Sequence, residues 1–180
     1  MDWKYLDTDA FRTRQVLAAH YVADCACVYE IGSHHNPISG FLRGPHDYVI
    51  CADPNIPEEI CGYSGDYKRN GRLVARRMNL YKGAADEVCP LNLEDCGLVV
   101  LGYDPSGLDL GFFLNVIEKC QVAVLEGWEG FGPWQALRQK LSFTGKKIAV
   151  HIKMDLSGND FGDMSDSYPP RCNRELIVLK

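Results

Sequence analysis

Short apolar runs alternate along the chain with segments of helical periodicity. Apolar runs typical of buried strands cover residues 25–31, 48–53, 96–102, 121–126, 147–152 and 174–179. Apolar residues at helical spacing predict helices over 9–21, 108–120 and 133–141, with a short helix over 36–42. Near-continuous apolar strands separated by helices predict a mostly parallel sheet that is covered on both faces.

Three further segments lie between these predicted elements. Residues 62–71 are rich in Gly, Tyr, Ser, Asp and Asn, which predicts a loop, and residues 73–82 fit either a helix or an edge strand. The connection 153–173 carries Gly, Asp, Ser and two prolines, so it is not a crossover helix. Because parallel neighbours normally need such a helix, we expect the last two strands to be antiparallel. An apolar final strand also leaves open a homo-oligomer formed by pairing along a sheet edge.

These elements predict one α/β domain over residues 1–180. An N-terminal helical region, 1–24, precedes a sheet core over 25–180. The core is predicted as three layers around a doubly wound, mostly parallel seven-stranded sheet that finishes in an antiparallel strand.

Charge and composition narrow the function without defining it. The net charge of −5 predicts no broad positive field, so we expect no clear nucleic-acid surface. The basic residues between Lys68 and Arg77 are interpreted as a solvated loop and strand edge. No apolar run approaches the roughly 20 residues of a membrane span, and the first residues lack the apolar core of a signal peptide. We therefore expect a cytoplasmic protein that does not bind membranes.

Eight cysteines are scattered along the chain without a Cys-x-x-Cys pair. This spacing does not support a zinc site, and we predict no metal. Several of these cysteines, such as Cys27, Cys51 and Cys120, lie in or beside apolar runs, where a reduced thiol behaves as a small hydrophobic group. The pattern favours buried free thiols.

Candidate chemistry falls where predicted strands end. Glu30-Ile31-Gly32-Ser33 closes the first strand, and a glycine there permits a tight turn and close approach of a ligand to the backbone. Asp53 follows 23 residues after Glu30, at the end of the next strand, where a carboxylate can accept both hydroxyls of a ribose. Asp86 follows small residues after the third strand and suits an adenine amine. The carboxyl ends of the strands beside the reversal of strand order are where such folds bind ligands.

These positions resemble the class I S-adenosylmethionine-dependent methyltransferases, which have a Rossmann-like fold. Glu30, Ile31 and Gly32 match the opening of the family's glycine motif, E/D-x-G-x-G-x-G. The resemblance implies that S-adenosylmethionine is the cofactor. It places Gly32 and Ser33 at the methionine part with Glu30 beneath, Asp53 at the ribose and Asp86 near adenine. Tyr103 and Asp104 occupy the position after the fourth strand where the family places substrate-facing and catalytic residues, and Tyr103 is also assigned to the cofactor site.

The resemblance implies methyl transfer to an acceptor that the residues do not identify. Asp104 is the first candidate for the acceptor-facing catalytic role and His34 the second, and the acceptor is either small or presented by a partner. His34 also stands where the family has its second glycine, and Asn36-Pro37 stands near the motif's end. The chain is therefore open to a second interpretation, a methyltransferase-like binding or interaction module without methyl transfer. A third is a nicotinamide-dependent oxidoreductase.

Two tryptophans near the fifth predicted strand have two interpretations. Trp128 and Trp134 flank a glycine-rich stretch that contains Phe131. They either wall an acceptor pocket or cover the sheet. A strand-end acid can likewise simply cap the following helix, since a negative charge is favourable at a helix N-terminus.

Overall fold

A computed structural model describes residues 9–33, 38–56, 58–59, 61, 64–105, 108–157 and 171–180. Three α-helices and eight strands lie in this part of the chain. In chain order they are α1 (Asp9–Tyr21), β1 (Cys27–Ile31), β2 (Tyr48–Ala52), β3 (Ser64–Arg69), β4 (Arg72–Tyr81), β5 (Cys96–Leu101), α2 (Leu110–Lys119), β6 (Val122–Trp128), α3 (Gly132–Leu141), β7 (Ile148–Ser157) and β8 (Arg171–Leu179). Short 3₁₀ helices cover Ile38–Gly40, Ala85–Val88 and Ser142–Thr144.

All eight strands form one sheet in the order β3-β4-β2-β1-β5-β6-β8-β7. Neighbours from β4 through β6 are parallel, which confirms the predicted parallel core. The chain runs outward from β1 through β2 to β4 and then returns to place β5 on the other side of β1. Strand order therefore reverses between β1 and β5, and the carboxyl ends of these strands border the crevice where such sheets bind ligands.

The sheet has one strand more than predicted, because residues assigned to a loop form β3. Asn70 and Gly71 have φ values of 51° and 75° and connect Arg69 to its antiparallel partner Arg72. Positive φ at both positions is the geometry of a type I′ hairpin turn, for which Asn-Gly is a strong signal. The predicted loop over 62–71 is therefore wrong for residues 64–69, because a polar composition is also typical of an exposed edge strand. Residues 73–82, ambiguous in the sequence, belong to β4, which pairs with both β2 and β3.

Two hydrophobic cores cover the two faces of the sheet, as the apolar strands predict. On one face, Phe113 and Ile117 of α2 and Trp134 and Leu137 of α3 pack on the sheet. On the other face, the core includes Ala18 of α1, Ile38 of the first 3₁₀ helix, and Val22 and Leu42, which lie just after these two elements. Alternate residues of β5 and β6 join opposite cores, which fixes the direction in which each strand side chain points.

The last two strands are antiparallel, as predicted from the connection between them. The order of these strands corrects the expectation of edge pairing. The final strand, β8, lies between β6 and β7 and forms an antiparallel ladder with each. Leu176 through Leu179 are buried, so this apolar strand fills the interior of the sheet, and β7 and β3 are its edges. The prediction that two chains could pair along the final strand is therefore wrong, because both edges of β8 are already paired within the sheet.

The thiols follow the predicted pattern in most of the described positions. Seven cysteines are described as free, and five of them are buried. Cys89 is half-buried and Cys61 is exposed, whereas the side chain of Cys172 lies outside the described residues.

None of the described helices is long and apolar enough to span a bilayer. In the same part of the chain, no group of three or more His, Cys, Asp or Glu side chains is arranged to hold a metal ion.

Candidate functional site

The turn after β1 presents open backbone at the edge of the sheet. Gly32 has a φ of 76°, and its N–H donates to the carbonyl of Ala52 at 2.9 Å. A Cβ placed on Gly32 would meet no atom within 4 Å, so space lies beside this residue. The hydroxyl of Ser33 is buried, and no described residue is its hydrogen-bond partner. His34, together with Asn36 and Pro37, lies outside the described residues.

Glu30 holds this turn from below. Its side chain is buried, and the Ile38 N–H donates to both carboxylate oxygens at 3.0 and 2.9 Å. The thiol of Cys51 on β2 donates to the same carboxylate. Burial raises the pKa of Glu30 to about 7, and these two hydrogen bonds only partly oppose that rise. Glu30 therefore ties β1 to the start of the 3₁₀ helix Ile38–Gly40 across the predicted glycine motif.

Asp53 lies beside this turn at the carboxyl end of β2. Ile31 and Ala52 are register partners, so Gly32 and Asp53 follow them at the same edge of the sheet. Asp53 is buried, its N–H donates to the Tyr81 carbonyl at 3.0 Å, and its Oδ1 accepts from the Asn55 N–H at 2.6 Å. A carboxylate has about four lone-pair positions, and a carboxylate at this position suits the two hydroxyls of a ribose.

Asp86 lies in the 3₁₀ helix Ala85–Val88, and its side chain is exposed. Two tyrosines anchor this helix: the Tyr29 hydroxyl donates to the Ala85 carbonyl, and the Tyr81 hydroxyl donates to Glu87 Oε2 at 2.6 Å. Ala85 packs in the same core as the residues that end β1 and β2. The structure therefore brings the segment that carries Asp86 to the side of the sheet edge that holds the glycine turn.

Tyr103 and Asp104 follow β5 and point to different surroundings. The Tyr103 ring is buried and stacks on Phe113 with centroids 5.7 Å apart, and burial raises the pKa of its hydroxyl. The Trp134 ring lies 6.1 Å from the same ring. Asp104 is exposed. Tyr103 thus forms part of the core wall behind the edge, whereas Asp104 lies on the accessible side of the turn.

A buried charge cluster that the sequence did not reveal supports the β5 turn. Glu126 on β6 is fully buried and accepts from Arg14 Nη1 at 2.7 Å and from Arg174 Nη1 at 2.5 Å. The Gly102 N–H donates to Glu126 Oε2 at 2.6 Å, directly before Tyr103 and Asp104. Burial alone would raise the pKa of Glu126, but the two guanidinium groups outweigh it and hold that pKa below its usual range.

The signal for this cluster was faint in the sequence. An acid at the end of an apolar run marks Glu126 much as it marks Glu30, but its arginine partners are 112 and 48 residues away along the chain. Their positions follow from tertiary packing, since α1 brings Arg14 to the sheet and β8 brings Arg174 beside β6.

The two tryptophans near β6 have different environments. Trp134 is fully buried, and its Nε1–H donates to Glu175 Oε2 at 3.0 Å. It therefore covers the sheet. Trp128 is half-buried, packs edge-on against Phe131, and lies 5.5 Å beneath the guanidinium of Arg174. This cation–π contact joins Trp128 to the buried charge cluster.

Comparisons with known proteins give a likeness in structure. No model of a known protein family matches the chain, and no curated protein matches it either. A candidate RNA methyltransferase of Pyrococcus horikoshii is similar with a TM-score of 0.58 and 12% identity, over 100% of this chain and 89% of that one. A candidate tRNA (m1A22) methyltransferase of Streptococcus pneumoniae, crystallised with S-adenosyl-L-methionine, has a TM-score of 0.54 and 13% identity over 93% and 72%.

A third similar structure acts on a different kind of acceptor. The precorrin-6y C5,15-methyltransferase of Geobacter metallireducens has a TM-score of 0.55 and 13% identity, over 99% of this chain and 92% of that one. At such identities the likeness establishes the fold. The parallel core, the reversal of strand order between β1 and β5 and the closing antiparallel pair agree with it. The chain therefore has the class I methyltransferase fold.

Proposed function

We propose that this protein transfers a methyl group from S-adenosylmethionine to an acceptor. The observation that carries the proposal is the juxtaposition at one edge of the sheet of the open Gly32 turn, the Asp53 carboxylate and the Ser33 hydroxyl, which has no partner in the part of the chain that the structure describes. A buried hydroxyl without a partner is unfavourable unless a ligand supplies one. The residues present therefore fit a polar, ribose-containing cofactor beside the strand-order reversal.

Each residue has an assigned part in this proposal. Asp53 accepts the ribose hydroxyls, and the Ser33 hydroxyl bonds a polar atom of the methionine part next to Gly32. Asp86 bonds the exocyclic amine of adenine from the 3₁₀ helix Ala85–Val88. Glu30 acts as a positioning residue, since its carboxylate is held by the Ile38 N–H and shapes the turn. Tyr103 contributes its backbone and the packing of its ring.

The reaction needs alignment more than acid–base chemistry. S-adenosylmethionine supplies a methyl group on a positively charged sulfur, which leaves as the neutral thioether when the acceptor's lone pair bonds the methyl carbon. Positioning the two reactants accounts for most of the acceleration in such a displacement. Exposed Asp104, at the end of β5, is assigned to orient the acceptor and to take its proton where one must be lost. His34 is the second candidate for that role.

A second function follows from one feature of the sequence. His34 stands where the family has its second glycine, and at such a position any side chain larger than that of glycine narrows the approach of a cofactor to the backbone. A module that binds a nucleotide or a partner without methyl transfer has the same fold and the same Asp53. Cofactor binding and turnover must therefore be measured separately.

Calorimetric titration with S-adenosylmethionine, S-adenosylhomocysteine and NAD tests the proposal. We expect the first two to bind and NAD not to bind. Asp53→Ala should weaken binding roughly 10- to 100-fold, because it removes charge-assisted hydrogen bonds worth about 1.5–3 kcal/mol. Ser33→Ala should weaken it roughly 2- to 10-fold while leaving the free energy of unfolding of the unliganded protein unchanged or slightly higher.

Glu94→Gln is the matched control, because Glu94 is an exposed acid on the connection between β4 and β5. It should leave all three titrations unchanged. A folded protein that binds neither sulfonium nor thioether compound would overturn the proposal. Binding without methyl transfer to any offered acceptor would favour the module. Equal affinities of wild type, Asp53→Ala and Ser33→Ala would show that the site lies elsewhere.

A further inference from the structure

The β3–β4 hairpin carries a concentrated positive charge. Five basic side chains lie on its strands, and all five are exposed: Lys68, Arg69, Arg72, Arg76 and Arg77. The sequence predicts a solvated loop and strand edge for these residues, and the structure places all five on a paired, two-stranded ribbon at the edge of the sheet. A ribbon holds its side chains at regular spacing, which a flexible loop does not.

This charge stands out against the rest of the protein. Residues 64–81 contain five basic residues and one acidic residue, whereas the other 162 residues contain 14 basic and 23 acidic ones. The hairpin thus has a net charge of +4 within a chain whose net charge is −5. Such a separation attracts a polyanion to the hairpin and repels it from the remaining surface, which orients the encounter.

Most of these charges are not used within the fold. Arg76 pairs with Asp47 at 3.1 Å, and both side chains are well exposed. An exposed pair of this kind is weak and exchanges readily with another anion. Among the described residues, no ion pair engages Lys68, Arg69, Arg72 or Arg77. Four cations of the hairpin are therefore exposed to solvent.

The ribbon leads from this charge to the proposed cofactor site. β4 runs from Arg72 at the hairpin tip to Tyr81, whose carbonyl accepts from the Asp53 N–H. Ten residues of strand span about 30 Å, which matches about nine phosphates of a stacked nucleic-acid strand at about 3.4 Å each. A strand lying along the hairpin would thus reach the edge that holds Gly32 and Asp53.

We propose that the β3–β4 hairpin binds the phosphate backbone of a nucleic-acid strand and so presents the methyl acceptor. The presentation of an acceptor rests on the proposed function, whereas the binding itself does not. Four of the five cations are arginines, whose planar fork matches phosphate oxygens. Half-buried Tyr67 and Tyr81 lie on the same ribbon, and aromatic rings are common stacking partners of bases.

Other polyanionic partners fit the hairpin less well. The exposed large hydrophobic residues of the described chain are Val16, Leu91, Phe143 and Ile148, and none lies on the hairpin. A membrane-surface element inserts an apolar face beneath its cations, and the hairpin has no such exposed face. An acidic protein partner usually needs a central apolar or aromatic anchor that becomes buried. Phosphate recognition needs neither.

Fluorescence anisotropy with a labelled 20-nucleotide single-stranded RNA, without cofactor, tests the binding. Wild type is compared with the triple variant Arg69→Gln/Arg72→Gln/Arg77→Gln. We expect the variant to bind roughly 10- to 100-fold more weakly at about 0.1 M salt. Its slope of log affinity against log salt should be flatter by about 2, because three phosphate contacts each release about 0.7 counterions. A DNA of the same sequence separates RNA from a general backbone contact.

A matched triple variant, Lys119→Gln/Lys140→Gln/Lys147→Gln, removes the same charge from exposed residues elsewhere. It should bind RNA within about 3-fold of wild type, and circular dichroism should show both variants folded. Failure of wild type to bind RNA or DNA at 50 mM salt would overturn the proposal. So would equal losses in the two triple variants, or binding only to phosphatidylserine vesicles or polyglutamate. Calorimetry with S-adenosylmethionine on the hairpin variant should match wild type, so the two proposals fail separately.

Discussion

Glu30 and Glu126 are two buried acids near the ends of central strands, yet their environments are opposite. Glu30, on β1, accepts from one backbone N–H and one thiol. Glu126, on β6, is held between the guanidinium groups of Arg14 and Arg174. Burial penalises the charge on both, but Glu126 is paired directly with two guanidinium groups, whereas the weaker effect of Arg14 on Glu30 is opposed by the negative charge of Asp53. The pKa of Glu30 is consequently raised to about 7, while that of Glu126 is lowered.

The difference shows that the fold uses the two acids for different purposes. Glu126 acts as an anion that joins α1, β6 and β8 around the turn at Gly102. Glu30 lies where a proton can be gained or lost near neutral pH, beneath the proposed cofactor turn. One acid therefore contributes a fixed charge to the site, and the other contributes a charge that depends on pH.

The largest expected effect comes from breaking the Glu126 cluster. Glu126→Gln removes the buried carboxylate that both guanidinium groups contact, and we expect the free energy of unfolding to fall by about 3–5 kcal/mol. Urea denaturation followed by circular dichroism measures this change. Glu129→Gln is the control, because Glu129 pairs with Lys153 on the exposed edge. A loss no greater than that of the control would mean that the cluster does not hold these elements together.

A second variant keeps this prediction testable if Glu126→Gln fails to fold. Arg14→Met/Glu126→Met/Arg174→Met replaces all three charges with apolar groups of similar length. We expect it to be more stable than Glu126→Gln, since no uncompensated charge remains buried. If both variants were equally unstable, packing at these positions and not charge would explain the loss.

The second expected effect is a pH dependence that belongs to Glu30. Because its pKa rises from 4.5 to about 7 on folding, the folded protein keeps a proton that the unfolded chain releases. The free energy of unfolding should therefore fall as pH rises from about 4.5 to 7, by about 3 kcal/mol from this group. Glu30→Gln should remove this slope, so the stability of the variant relative to wild type should increase between pH 5 and pH 8.

Glu118 is an exposed acid on α2, and Glu118→Gln is the control. The difference in free energy of unfolding between this variant and wild type should stay constant over the same pH range. Glu126 contributes with the opposite sign. With its pKa lowered on folding, its stabilisation is present above about 4.5 and is lost as pH falls below that value. A Glu30→Gln difference that declined with rising pH would contradict the assigned direction of the Glu30 shift.

The smallest expected effect comes from removing the Cys51 thiol, which donates a hydrogen bond to the Glu30 carboxylate. The thiol hydrogen bond stabilises the carboxylate, so Cys51→Ala should raise the pKa of Glu30 further. The pH range over which Glu30 lowers the free energy of unfolding should then extend to higher pH. Comparison of Cys51→Ala with Cys51→Ala/Glu30→Gln measures this range. Cys51→Ser keeps a donor and should leave the range near that of wild type. Identical ranges in all three backgrounds would remove Cys51 from the network.

The sequence predicted the parallel core and its antiparallel end well, since both depend on local patterns. Apolar runs define the central strands, and a non-helical connection before β8 implies antiparallel pairing. It did not predict β3, because a polar edge strand has no apolar face to mark it. The Asn70-Gly71 turn was the available signal.

The candidate site divides in the same way. Gly32 and Asp53 were predicted from strand ends, and the parallel register brings them to one edge. The roles of these residues, and of Ser33, Asp86 and Asp104, remain predictions. The arginines of the Glu126 cluster could not be predicted, because they lie 112 and 48 residues from Glu126 along the chain and no local pattern links them to it. That the Ser33 hydroxyl has no partner among the described residues is likewise a property of packing.

The distribution of thiols offers an experimental handle on the proposed site. Cys61 is the exposed cysteine of the described chain, and it lies close enough to Tyr81 and Lys82 to influence their titration. Five other described cysteines are buried, and burial raises the pKa of Cys25, Cys51 and Cys120. A hydrogen bond with Cys27, together with burial, raises the pKa of Cys96. Because the thiolate is the reactive form, maleimide dyes should modify Cys61 well before these. The native chain thus carries an attachment point for a fluorescent reporter beside the strand that joins the basic hairpin to Asp53.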